Sequence, residues 1–92
     1  MNIRFLLKKE ILDLLISNQA YFTSQNIKDT LGQSNTETIQ ELCHEMIREY
    51  EEMFDKQDTL LEIRLGEGVR FVGNIKYVSR YYEYLMVRAP SP

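Results

Sequence analysis

The chain has 92 residues, a formal net charge of −3 at pH 7 and 43% hydrophobic residues, which predicts a single domain with one small core. No apolar run approaches the ~20 residues needed to cross a bilayer, and the charged start of the chain is atypical of a secretory signal. Cys43 is the single cysteine, so no internal disulfide can form and a cytoplasmic setting is expected.

A first amphipathic helix is predicted from about residue 3 to residue 17. Its apolar side chains recur every three or four positions, which is the spacing of one helix face. The apolar face comprises Ile3, Leu6, Leu7, Ile11, Leu14 and Leu15, and the opposite face comprises Arg4, Lys8, Lys9, Glu10 and Asp13.

A helix–turn–helix pattern follows over residues 23–50. The Thr23 hydroxyl can accept a hydrogen bond from a backbone N–H at the start of a second helix, which ends at about Leu31. Gly32 can then adopt the left-handed conformation that terminates a helix. Two helices joined by a short glycine-containing turn are typical of the motif that places its second helix in the DNA major groove.

The third helix has two candidate start sites. Ser34 and Glu37 match the S-x-x-E capping box, whereas a start one residue later makes Asn35 the cap. We favour the later start because it keeps the apolar residues on one inward stripe. That stripe comprises Ile39, Cys43, Met46 and Ile47.

A β-hairpin is predicted over residues 59–72, where two β-rich runs flank the turn GEG at positions 66–68. Apolar residues alternate with Glu62 and Arg64, so one face of the first strand should be buried. The predicted buried residues of this strand are Leu61, Ile63 and Leu65.

A fourth helix is predicted over residues 74–88, with Asn74 as its cap and prolines beyond its end. Three helices, a hairpin and this C-terminal helix predict an α+β, mainly α fold. We expect a single winged helix-turn-helix domain over residues 1–92, with the hairpin as its wing. The inward residues of the fourth helix are predicted to be Ile75, Val78, Tyr82 and Leu85.

The surface predicted to meet DNA is the outward side of the third helix together with nearby basic residues. Polar side chains early in that helix can contact phosphates or base edges, and basic side chains of the second helix and hairpin can contact phosphates. Glu37 has a second possible role, as a favourable charge at the helix N-terminus. The predicted set is Lys28, Asn35, Thr36, Glu37, Gln40, Glu41, His44, Arg64 and Arg70.

The charge of the third helix opposes this function. Residues 35–55 carry seven acidic residues against the single basic residue Arg48, and acidic side chains gain nothing from phosphates.

The alternative function is that of a protein-interaction or dimerisation module, since tyrosines are common at interfaces. A basic stripe formed by Lys28, Arg64 and Arg70 beside the third helix would favour DNA. A continuous acidic face opposite an exposed tyrosine patch would favour a protein partner. The predicted interface residues are Tyr77, Tyr81 and Tyr84.

No catalytic or metal site is predicted. His44 lies between Glu41 and Glu45, which is a common arrangement on a helix surface, and GEG lacks the spacing of a phosphate-binding loop. Cys43 falls on the apolar stripe and is expected to be a small buried hydrophobe. We therefore expect no enzymatic activity, no cofactor and no bound metal.

Five segments of the chain resemble one family. They are FLLKKEILDLL, YFTSQNIKDTL, TIQELCHEM, LLEIRLGEGVRFVG and YVSRYYEYLMVRAPSP. Together they are similar to the N-terminal winged-helix region of the Mga-like transcription regulators of Gram-positive bacteria, which are related to PRD-containing antiterminators and activators. The resemblance implies the DNA-binding front end of a long regulator, with the last helix leading into regulatory domains.

The partners that this resemblance implies are double-stranded DNA and either other domains of a longer regulator or a second copy, with no membrane. Family members often place Lys or Arg at the positions that correspond to residues 36, 37, 40 and 41, where this chain is neutral or acidic. The turn at residues 32–34 is also one residue longer than usual. We therefore expect weak DNA binding by the domain alone, strengthened by multivalency in the whole protein.

Overall fold

The computed structural model describes residues 3–32 and 35–88 as four α-helices and one two-stranded antiparallel hairpin. The predicted α+β, mainly helical class is confirmed. The capping role considered for Ser34 lies outside the described residues. The elements are α1 (Ile3–Ser17), α2 (Ser24–Leu31), α3 (Thr36–Met53), β1 (Leu61–Arg64), β2 (Gly68–Phe71) and α4 (Ile75–Arg88).

The inward face of α1 begins one turn later than the sequence predicts. Leu7, Ile11 and Leu15 are buried as expected, and Leu12 is buried with them. Ile3 is instead 74% exposed and Leu6 is 37% exposed, so the prediction is wrong for these two residues. The core therefore meets α1 from its second turn onward.

Local capping sets both ends of α2 as predicted. The Thr23 hydroxyl accepts a hydrogen bond from the Asn26 N–H at 3.1 Å, and the Asn26 side chain accepts one from the Thr23 N–H at 3.2 Å. Gly32 has a φ of 66° and donates its N–H to the Lys28 carbonyl. These contacts satisfy backbone groups that a helix leaves unpaired at its ends.

The helix α3 begins at the later of its two candidate sites. Asn35 is the cap, and its Oδ1 accepts a hydrogen bond from the Thr38 N–H at 2.8 Å. This register buries Ile39, Cys43 and Met46 of the predicted apolar stripe, and its fourth member, Ile47, is half-buried. The preferred register is therefore confirmed, and with it the side of α3 that faces outward.

We expect Asn35→Ala to lower the free energy of unfolding by about 1 kcal/mol, because the Thr38 N–H loses its partner at the end of α3. Urea unfolding followed by circular dichroism measures this change. Asn35→Ser keeps a side-chain acceptor and should stay within about 0.5 kcal/mol of the wild type. Equal stability of the alanine and serine variants would contradict a stabilising cap.

Backbone hydrogen bonds tie the hairpin to the segment that precedes α2. The strands pair in a register that places Ile63 opposite Val69. Val69 also exchanges two backbone hydrogen bonds with Phe22, each 2.8 Å long. Since Phe22 directly precedes the cap of α2, the hairpin is fixed beside the N-terminus of that helix.

Only one of the three residues predicted to be buried on the first strand is buried. Leu61 is 2% exposed, whereas Ile63 is 46% exposed and Leu65 is exposed completely. The prediction is wrong for Ile63 and Leu65, because the tip of the hairpin runs past the edge of the core. These two side chains form apolar surface beside α3.

The fourth helix packs through a different face from the predicted one. Val78 and Leu85 are buried as expected, but Ile75 is 60% exposed, Tyr82 is half-buried and Tyr81 is completely buried. Tyrosine hydroxyls on two sides of α4 reach α1 and α3. The helix is therefore held by two neighbours, so its core face is broader than a single stripe.

A buried lysine joins α1, α3 and α4. Lys8 is 5% exposed, and its Nζ donates to Glu45 Oε1 at 2.6 Å and to Glu49 Oε1 at 2.9 Å. The Tyr81 hydroxyl donates to the same Glu49 oxygen at 3.0 Å. Burial acts to raise the pKa of Glu45, but hydrogen bonds from Lys8 and Arg4 outweigh it and lower that pKa. The sequence-based placement of Lys8 on the outward face of α1 is therefore wrong.

Candidate nucleic-acid interface

The outward side of the first half of α3 carries the residues predicted to read base edges. Glu37, Gln40, Glu41 and His44 are exposed, and Thr36 is half-buried. The helical spacing places these residues along one side of the helix, opposite its buried stripe. The side chains available there are two carboxylates, one amide, one imidazole and one hydroxyl, with no cation among them.

Two other residues that were predicted to contact DNA, Asn35 and Lys28, are less available for such contacts. The Asn35 side chain is exposed, but its Oδ1 is already the cap of α3. Lys28 is half-buried in the last turn of α2. Among the described residues, Lys28 does not belong to the lining of the groove between α3 and the hairpin.

This groove has a volume of about 300 Å³ and lies between α3, the start of α2 and the tip of the hairpin. On the α3 side it is bounded by two of the exposed residues, Gln40 and His44. On the hairpin side it is bounded by the exposed apolar residues Ile63 and Leu65. The arrangement makes the outward side of α3 and the hairpin one continuous surface.

The two hairpin arginines lie together, but each is paired with a carboxylate. Lys28, the third member of the predicted basic stripe, lies in the last turn of α2 and outside the groove that Arg64 lines. Arg64 Nη1 lies 3.2 Å from Glu67 Oε2, and Arg70 Nε lies 3.0 Å from Glu62 Oε1. Both guanidinium groups lie 5.0 Å from the centre of the Tyr21 ring, and the Tyr21 hydroxyl donates a hydrogen bond to Glu62. We call Tyr21, Glu62, Arg64, Glu67 and Arg70 the hairpin ion cluster.

The pKa shifts within the hairpin ion cluster follow its contacts. The hydrogen bond from Tyr21, together with Arg70, lowers the pKa of Glu62, and the hydrogen bond to Glu62 raises the pKa of Tyr21. The hydrogen bond to Glu67 raises the pKa of Arg64. Two guanidinium groups and two carboxylates balance in charge at neutral pH, so the cluster offers little net positive charge.

Sequence reasoning missed Tyr21, Glu62 and Glu67 as members of this site. A signal for one pair was present, because a hairpin closed around the GEG turn brings Glu62 opposite Arg70 in its register. Opposite charges at such cross-strand positions attract one another. Tyr21 has no comparable signal, since only the folded chain brings the segment before α2 against the hairpin.

The same outward side of α3 also borders a depression on its α1 side, which has charges of both signs. It includes Arg4 and Arg48. Arg4 forms an ion pair with Glu45, so its charge is largely compensated. The remaining lining residues are Glu37, Gln40, Glu41, His44 and Glu45. Acidic side chains therefore outnumber basic ones on this side, which disfavours contacts to phosphates.

The tyrosines predicted to form an interface are mostly used by the domain itself. Tyr81 is completely buried between α4 and α3, so its prediction as a surface contact is wrong. Tyr77 is half-buried and stacks on Phe54 at 4.7 Å between ring centres. Tyr84 is also half-buried, and it borders a surface groove near the end of α4. The described part of α4 thus lacks the exposed tyrosine patch that would favour the alternative function.

Over residues 3–32 and 35–88, no cluster of three or more His, Cys, Asp or Glu side chains is placed to hold a metal ion. Cys43 is 4% exposed, and burial raises the pKa of its thiol to about 12, so it packs as a hydrophobe. In the same described ranges, no helix is long and apolar enough to span a membrane.

Comparisons with protein-family models, curated proteins and solved structures return no significant match to this chain.

Proposed function

We propose that this chain is a winged helix-turn-helix domain that binds duplex DNA within a cytoplasmic bacterial transcription regulator. In this proposal α2 and α3 form the helix–turn–helix, with α3 in the major groove, and the hairpin is the wing. The observation that carries it is the continuous surface formed by the outward side of α3 and the hairpin. The resemblance to Mga-like regulators is part of the proposal.

The chemistry of this surface suits the reading of base edges better than the binding of phosphates. Gln40 can form two hydrogen bonds with adenine, and Glu37 or Glu41 can accept a hydrogen bond from cytosine N4. The exposed apolar residue Ile63 can contact a thymine methyl group across the groove. Each of these contacts requires an exposed side chain, and all four residues meet that requirement.

Phosphate contacts are the weak part of this interface. The acidic side chains of α3 repel the backbone, and the hairpin arginines already hold carboxylates. Affinity for a single site is therefore low. A regulator with several DNA-binding domains, or a dimer, gains its affinity from the effective concentration that linked domains create.

The test is to select preferred duplexes from a randomised library at low salt and then measure affinity by fluorescence anisotropy. We expect Gln40→Ala to weaken binding to the selected sequence about tenfold and to relax the preference at one base pair, since one base contact contributes about 1–3 kcal/mol. Gln57→Ala, an exposed glutamine beyond the end of α3, is the matched control and should leave both unchanged. Absence of binding by the wild type, or identical effects of both variants, would refute the proposed surface.

A second function has one observation in its favour. The end of α4 exposes Met86 and Val87, which are 64% and 84% exposed. Val87 also lines the surface groove shared with Met53 and Tyr84. Apolar surface of this kind is typical of contacts with another domain or subunit. Such docking is compatible with DNA binding by α3, because the groove reaches α3 only at its last residue, Met53, whereas the residues proposed to meet DNA lie in its first half.

A further inference from the structure

The hairpin ion cluster holds the only two arginines of the described hairpin in a neutralised form. Each guanidinium group has one of its N–H donors directed at a carboxylate, at 3.2 Å for Arg64 and 3.0 Å for Arg70. Carboxylates and phosphates use the same donors of a guanidinium group. Glu67 and Glu62 therefore each take one of the five N–H donors that an arginine can offer to a phosphate, and each balances the positive charge of its arginine.

The Tyr21 ring keeps both guanidinium groups in place. Each lies 5.0 Å from the ring centre, which is within the range of a favourable cation–π contact. The Tyr21 hydroxyl also holds the Glu62 carboxylate, which in turn accepts from Arg70. Glu62 is thus fixed from two sides, so it competes for Arg70 as a preorganised ligand rather than as a freely moving surface charge.

We propose that Glu62 and Glu67 are internal competitors of the DNA backbone, which lower the affinity of the hairpin for phosphates and make binding depend on base contacts. This inference rests on the proposed DNA-binding function. It assigns a regulatory role to two acidic residues. Each carboxylate compensates the charge of its arginine and competes with a phosphate for the same guanidinium group, so non-specific duplexes gain little from the hairpin. Specific duplexes bind because the contacts of α3 are added.

The test compares the wild type with Glu62→Gln/Glu67→Gln on a labelled duplex of mixed sequence, by anisotropy between about 50 and 200 mM salt. Glutamine keeps an oxygen that can accept from Tyr21 and Arg70, but it lacks the negative charge. We expect the double variant to bind about tenfold more tightly at low salt. Its slope of log affinity against log salt should steepen by up to about 0.9 for each arginine that is freed.

Two control variants distinguish an effect that acts through Arg64 and Arg70 from the effect of a general change in net charge. Glu83→Gln changes one charge on α4, where Glu83 is exposed beside Met53 and Val87, and it should alter affinity by less than about twofold. Adding Arg64→Ala and Arg70→Ala to the double variant should abolish its gain. Circular dichroism confirms that each variant is folded.

The possible outcomes distinguish this inference from the function on which it rests. Suppose that the wild type binds DNA with salt dependence, but that the double variant gains no more affinity per charge removed than Glu83→Gln does. The proposed competition is then refuted, and DNA binding stands. If neither the wild type nor the double variant binds at low salt, both are refuted. Binding by the double variant but not by the wild type would support both.

Discussion

Gly68→Ala is expected to lower the free energy of unfolding by about 4 kcal/mol. This is a large fraction of the free energy of unfolding of a typical domain, which is about 5–15 kcal/mol. Gly68 has a φ of 112°, which side chains rarely adopt, and a Cβ there would lie 2.7 Å from the Thr23 nitrogen and closer still to the Phe22 carbonyl. Backbone strain costs about 1–3 kcal/mol and overpacking about 1–3 kcal/mol. Urea unfolding measures the total.

Gly66→Ala is the matched control for this prediction. Gly66 lies in the same turn with a φ of 84°, but a Cβ at that position meets no atom within 4 Å. We therefore expect a loss of only about 1–2 kcal/mol, from the left-handed backbone alone. Equal losses for the two variants would show that the close approach of Gly68 to Phe22 contributes nothing to stability.

The position of Gly68 also links stability to the proposed function. The two hydrogen bonds between Phe22 and Val69 are adjacent to this close approach. Any side chain at Gly68 therefore separates the hairpin from the start of α2, on which its placement beside α3 depends. A variant at this position that remains folded should bind DNA less tightly than the wild type.

Lys8→Met is expected to lower the free energy of unfolding by about 3 kcal/mol. Methionine has a similar shape but lacks the ammonium group, so Glu49 and Glu45 lose their shared cation at the junction of three helices. Breaking a fully buried ion pair costs about 3–5 kcal/mol, and we expect the lower limit because the two carboxylates are 20% and 30% exposed. Thermal and urea unfolding measure this loss.

Lys9→Met is the control, because it makes the same substitution at the next residue of α1. Lys9 pairs with Asp13 on the surface, where the two side chains are 45% and 49% exposed, so its loss should stay below about 1 kcal/mol. Adding Glu49→Gln to Lys8→Met should recover part of the stability, because Glu45 keeps its ion pair with Arg4 and Glu49 no longer carries a charge without a cation. Similar losses for Lys8→Met and Lys9→Met would contradict a special role for the buried lysine.

Much of the local structure was predictable because it depends on neighbouring residues. Thr23 and Gly32 end α2 through contacts within a few positions, and Asn35 sets the start of α3 by the same physics. That start determines the outward side of the helix, so the predicted exposure of Gln40 and His44 is confirmed. The pairing of Glu62 with Arg70 could also have been predicted from the hairpin register.

The burial and the partners of the charged and aromatic side chains could not be predicted in this way. Periodicity identified the apolar side of α1 but not the partner of Lys8, whose carboxylates lie 37 and 41 positions further along the chain. It could not distinguish the buried Tyr81 from its neighbour Tyr82, because α4 contacts two helices. It also could not show that Leu65 extends past the core.

The sequence by itself determined the helices, the hairpin and the acidic character of α3, because caps, turns and spacing act over a few residues. It left two possible starts for α3, and the structure selects the later one. The tertiary structure alone decided that Lys8 is buried and that Tyr21 holds Arg64 and Arg70. Burial and ion pairing depend on which distant side chains meet, and those meetings are set by how the helices and hairpin pack together.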